Sequence, residues 1–155
     1  MREFQVQDPG YDARIRRGFA RQRLMELLGL SLTRVEPGKL EMQMPYDIRF
    51  TQQNGFLHAG AVSTALDSAC GFASCTLMPA QADVLTVEFK INLLAPARGQ
   101  TFRFVGTVVK PGRTLVIAEG HAFATDDGRE KLIATMSATM MTMLRRPESG
   151  AGGEG

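Results

Sequence analysis

Between Arg49 and Asp83 the chain carries a single formal charge, Asp67. It stands within residues 51–78, TQQNGFLHAGAVSTALDSACGFASCTLM. Thirteen of the seventeen residues 59–75 are Gly, Ala, Ser, Thr or Cys, so this segment can lie buried and very close to other backbone. A carboxylate held there is costly to desolvate unless something compensates. Burial shifts the pKa of such a group and makes it a candidate for acid/base or nucleophilic work. The recurrence of Val62, Ala65, Leu66, Ala69, Phe72 and Ala73 predicts a helix over 59–77. Its start is His58-Ala59-Gly60. A helix N-terminus offers unpaired N–H groups and partial positive charge, which is what a developing oxyanion needs. Gly60, and Ala59 with its single methyl, let a substrate approach the backbone closely.

Asp67 and Ala59 are eight residues apart, roughly 12 Å along a helix. One carbonyl cannot reach both within hydrogen-bond distance. Two such helices, antiparallel across a two-fold axis, would bring the carboxylate of one subunit to the helix start of the other. The small-residue surface permits that close packing. The expectation is a homodimer with two shared sites, or a dimer of dimers.

Other elements must position this helix. Ile15, Phe19, Leu24, Leu27 and Leu28 recur at helical spacing, which predicts one amphipathic helix over 12–28 ended by Gly29. Leu30 and Leu32, then Leu40, Met42, Met44 and Tyr46, alternate with polar residues about Glu36-Pro37-Gly38-Lys39, which reads as a β-hairpin. Val87, Phe89, Ile91 and Leu93 alternate with Thr86, Glu88, Lys90 and Asn92. Further strands are expected over 101–110, 114–125 and 130–143, with Asp126-Asp127-Gly128-Arg129 as a hairpin turn. The order is helix, two strands, buried helix, then four strands in an antiparallel meander. This is an α+β fold, a six-stranded antiparallel sheet wrapped around one long central helix, with an extra N-terminal helix. Wrapping would explain a helix apolar on all sides. One domain is expected over 1–144, with 1–12 irregular and mobile and 145–155 a Gly-rich disordered tail.

A net charge of +2 gives no bulk electrostatic case for nucleic acid. The run Arg14, Arg16, Arg17, Arg21 and Arg23 reads as a solvated helix face. No apolar run approaches the ~20 residues of a membrane span, and the first ten residues hold no signal-peptide core; a cytoplasmic protein is expected. Cys70 and Cys75 are five apart and face different ways on a helix. With no other Cys and two distant His, no metal site and no disulfide are expected.

The segment Asn54-Gly55-Phe56-Leu57-His58-Ala59-Gly60, with Leu66-Asp67 following, resembles the hotdog-fold acyl-CoA thioesterases of the phenylacetate-degradation (PaaI-like) type. So do the strand Leu85-Thr86-Val87-Glu88-Phe89-Lys90-Ile91-Asn92 and the Ala95-Pro96-Ala97 after it. The resemblance covers most of residues 30–143. It implies hydrolysis of an aryl- or medium-chain acyl-CoA to free acid and CoA, with no cofactor other than the CoA of the substrate. By position, Asp67 matches the catalytic carboxylate, acting as general base or nucleophile. The Ala59 N–H would polarise the thioester carbonyl, and His58 would orient the loop. Thr86 would help hold the attacking water, and Gln52 falls where the family commonly has Asn. Asn54 and Gly55 are candidate substrate contacts. Arg98, Lys110 and Arg113, at turns, are candidates for the CoA phosphates. Ala59 in place of Gly narrows the pocket, and Gln52 lengthens the amide's reach. Two other readings keep the fold: a hotdog enoyl-CoA hydratase or dehydratase, and a non-catalytic acyl-CoA or aromatic ligand-binding protein.

Overall fold

A computed structural model describes residues 4–145; the expected tail, apart from Arg145, lies outside them. The elements are α1 (Tyr11–Arg21), α2 (Arg23–Leu27), β1 (Ser31–Glu36), β2 (Lys39–Pro45), a 3-10 turn (Ile48–Phe50), α3 (Ala59–Cys75), β3 (Ala82–Leu93), β4 (Thr101–Lys110), β5 (Leu115–Asp126) and β6 (Arg129–Leu144). The six strands form one antiparallel sheet in the order β1-β2-β4-β5-β6-β3. Its inner face closes on α3 through Leu40, Met42, Phe102, Phe104, Val116 and Met140, all buried.

Five expectations need correction. The last four strands are not one meander. Strands β4, β5 and β6 are, but β3 pairs with β6 at the far edge of the sheet. The single helix over 12–28 is broken at Gln22, whose ψ of 102° is extended. The break re-phases the chain: Met25 and Leu28 join Ile15 in the core, while Leu24 and Leu27 point outward. Arg14 leaves the solvated run. Its guanidinium donates to Cys75 O and Met78 O, both at 3.0 Å, and pairs with Asp8 at 2.8 Å. A cation thus satisfies carbonyls left open at the end of α3. Residues 4–10 are irregular yet held, since Gln7 donates to Leu77 O and Phe4 packs on the core. Lastly, α3 is not apolar all round. Ser63, Thr64, Asp67 and Ser68 form a half-exposed polar stripe on it.

Small residues let α3 press onto the sheet. A methyl added at Gly106 of β4 would lie 2.3 Å from Ala69 O and 2.4 Å from Ala69 C, against backbone that cannot swing aside. Between β5 and β6 the tip Asp127-Gly128 has φ of 47° and 74°, the paired left-handed conformations of a two-residue hairpin turn.

Two outcomes follow. Gly106→Ala, which forces α3 off β4, should cost about 3 kcal/mol in urea unfolding; an unchanged midpoint would show that the contact is not tight. Burial pushes the Cys70 and Cys75 thiols up to about 12, so both are neutral near pH 7 and poor nucleophiles. Iodoacetamide should label neither in the folded protein and both after guanidinium unfolding.

Candidate functional site

The loop before α3 is suspended between two anchors. Asp47 caps the 3-10 turn by accepting from the Arg49 N–H at 2.8 Å. A Thr51–Leu57 bridge and the bond from Gln52 N–H to Phe56 O at 2.9 Å close the loop. His58 N–H donates to Phe50 O at 2.8 Å, and Leu57 N–H to Ala97 O at 3.0 Å. The last bond ties the start of α3 to the Ala95-Pro96-Ala97 turn after β3.

His58 is the N-cap of α3, its Nδ1 accepting from the Gly60 N–H at 2.8 Å. An accepting Nδ1 in a neutral ring places the proton on Nε2. The histidine therefore orients the helix start and occupies the Gly60 N–H. The Ala59 N–H has no acceptor among the described residues. Ala59 lines a cleft of about 430 Å³ with Gln52, Phe56, Val62, Leu93 and Ile133, among others. The Gln52 side-chain oxygen accepts from the Asn54 N–H, which fixes one end of its amide beside that cleft. Asn54 sits exposed at the turn, and Tyr46 Oη donates to Gly55 O at 3.1 Å.

Asp67 is not in this cleft. It lies half-exposed on the polar stripe of α3 and accepts from Thr86 Oγ1 at 2.8 Å through one oxygen, Oδ1. A β-bulge makes this contact. Thr86 pairs with Met140 and Glu88 with Thr139, so Val87 is an extra residue in β3. Residues directly opposite in an antiparallel pair share a face. Thr86 therefore lies on the inner face with buried Met140, as Phe89 does with Ala138. Glu88 goes to the outer face, where Thr139 Oγ1 donates to it at 2.8 Å.

The cations divide. Arg98 lies at the same end as the Ala59 cleft, in a second cleft with Phe56 and Pro96. Lys110 ends β4 at the opposite end of the strand, and Arg113 lines a separate cleft beside Leu77 and Pro79, past the C-terminus of α3. A single chain does not bring these three together. Arg129 and Lys131 do share the cleft of Arg98. The hairpin turn that carries Arg129 is evident in the sequence, but its position beside Pro96 is not.

A six-stranded antiparallel sheet curled over one long helix defines the hotdog fold. The chain belongs to the Thioesterase superfamily, whose family profile matches residues 54–131. It is 32% identical over 106 residues to a Saccharolobus solfataricus protein named "Putative esterase SSO2140", covering 68% of this chain and 74% of the relative. A crystal structure of a thioesterase family protein from Silicibacter pomeroyi is 54% identical, with a TM-score of 0.87 over 88% of this chain and 100% of that one. The PaaI protein of the Escherichia coli phenylacetic acid degradation operon has the same fold, with a TM-score of 0.77 at 12% identity over 88% of this chain and 96% of its own. Membership supports a thioester hydrolase. No helix among the described residues is long and apolar enough to cross a membrane.

Proposed function

We propose that the protein hydrolyses an aryl- or medium-chain acyl-CoA in a site shared between two subunits. The observation that carries this reading is the Asp67 carboxylate. Thr86 holds one of its oxygens, and Oδ2 has no partner among the described residues. The carbonyl of the thioester accepts from the Ala59 N–H, and the apolar cleft beside it receives the acyl group. Asp67 either takes a proton from the attacking water or attacks the carbonyl itself. In the first case the C–S bond breaks and the thiolate takes up the proton that Asp67 holds. In the second it breaks to leave the acyl group as a mixed anhydride on Asp67, which water hydrolyses to the free acid and the restored carboxylate, with a proton of that water going to the thiolate. Thr86 is a positioning residue that aims the carboxylate.

A dimer follows from the separation of the two halves. Asp67 is roughly 12 Å along its own helix from Ala59, so the donor belongs to the partner subunit. Two features support this assembly. The polar stripe around Asp67 is built of small residues that allow close approach. The free edge of β3 carries exposed Leu85, Val87, Phe89 and Leu93, an apolar strand edge of the kind that joins with another chain. The reading takes the compartment to be the cytoplasm and assigns the enzyme no cofactor.

Asp67→Asn, which keeps shape and removes the base, should lower kcat by about a hundredfold to ten-thousandfold on a good acyl-CoA. Hydrolysis at the wild-type rate would sink the assignment. Thr86→Val should lower kcat about tenfold with KM little changed, and Thr86→Ser should restore it; equal rates for Val and Ser would deny Thr86 its role.

A further inference from the structure

We propose that Ile133, turned into the Ala59 cleft by a β-bulge, is the residue that sets how long an acyl group the enzyme accepts. This rests on the thioester-hydrolase reading above and adds to it the limit of the substrate's acyl half. The bulge lies near the start of β6. Ala122 pairs with Ala134 and Phe123 with Leu132, so Ile133 is an extra residue in β6. Ala122 and Ala134 are opposite each other, share a face and are both buried. Strict alternation from Ala134 would put Ile133 on the outer face. The bulge instead turns it inward, where it is 1% exposed and lines the cleft.

The backbone of Ile133 is pinned in that place. Its carbonyl accepts from the Leu94 N–H at 2.8 Å and from the Ala95 N–H at 3.3 Å. A β-branched side chain on a doubly anchored backbone has little freedom to swing aside. The cleft has an open side and a deep side. Leu93 and Leu94 are 55% and 54% exposed, whereas Val62, like Ile133, is 1% exposed. Val62 stands three residues past Ala59 on α3, on the same face of the helix. An acyl group whose carbonyl meets the Ala59 N–H thus passes Val62 and ends against Ile133. Among the described residues that line the cleft, Gln52 has the only polar side chain, and its oxygen is engaged by the Asn54 N–H. An acyl group ending in a hydroxyl or a carboxylate would lose its water there without gaining a partner. The cleft therefore suits an acyl group that is apolar to its end.

The test measures kcat/KM on straight-chain acyl-CoAs from butyryl to palmitoyl in the wild type, Ile133→Val, Ile133→Ala and Ile133→Phe. Each methylene that the wild-type cleft buries should raise kcat/KM about fourfold, up to a length beyond which it falls about tenfold or more. That limit should move to longer chains in Ile133→Val, further in Ile133→Ala, and to shorter chains in Ile133→Phe. If Ile133→Ala fails to fold by circular dichroism, the valine and phenylalanine variants still carry the comparison, in opposite directions. A limit at the same length in every folded variant overturns the proposal, and so does a shift in the same direction with valine and phenylalanine. Calorimetric titration with S-alkyl-CoA thioethers of the same series needs no hydrolysis. A length limit in binding that moves with residue 133, while no protein releases thiol from any acyl-CoA, would uphold the role of Ile133 and count against the hydrolase reading instead.

Discussion

The contact between Ala69 and Gly106 governs how this molecule is built. With no side chain on Gly106, the backbone of α3 rests directly on β4. Packing that close leaves no room for large side chains where the helix meets β4 at Gly106. It accounts for the run of alanine, glycine, serine and cysteine that the chain spends on its longest helix. The same economy leaves the opposite side of α3 narrow and polar, with Asp67 as its one charge. Both ends of the helix are then secured from outside it. His58 caps the start, and Arg14 binds the carbonyls at the end.

Placing both groups on one rigid helix separates the two halves of the proposed chemistry. The Ala59 N–H, without an acceptor among the described residues, belongs to the helix start, and Ala59 lines an apolar cleft. The carboxylate sits two turns on, held by a strand at the sheet's edge. Both ride on one helix, whose rise of roughly 1.5 Å per residue holds them apart. Rigidity within one chain thus makes a second chain the natural source of the missing group, which is why the proposed reaction is shared.

Much of the fold was legible because local chemistry specified it. Glu36-Pro37-Gly38-Lys39 and Asp127-Gly128 are turns by residue type, and the hairpins beside them follow. The 59–77 helix could be read from its periodicity to within two residues of its end. Failures came where one pattern fits several arrangements. Alternation in residues 82–93 predicts a strand but does not name its neighbour: a simple meander puts β3 beside β4, whereas it lies beyond β6. The apolar residues 15–28 fit one helix as well as two, and only burial of Met25 and Leu28 separates the cases. Among the cations, Arg98 and Lys110 both lie at strand ends, yet they are at opposite ends of one strand. That distinction depends on direction in space.

That Asp67 is the one charge in its stretch, and that His58-Ala59-Gly60 starts a helix, were determined by the sequence alone. A lone charge in an uncharged stretch and a change of periodicity are both local signals. The link between Asp67 and Thr86 was not. Strict alternation puts Thr86 on the outer face with Glu88 and Lys90, away from the helix. One unpaired residue, Val87, reverses that and turns the hydroxyl onto the carboxylate. A bulge arises from how β3 must meet β6 while both wrap α3, and that fit exists only once the sheet has closed.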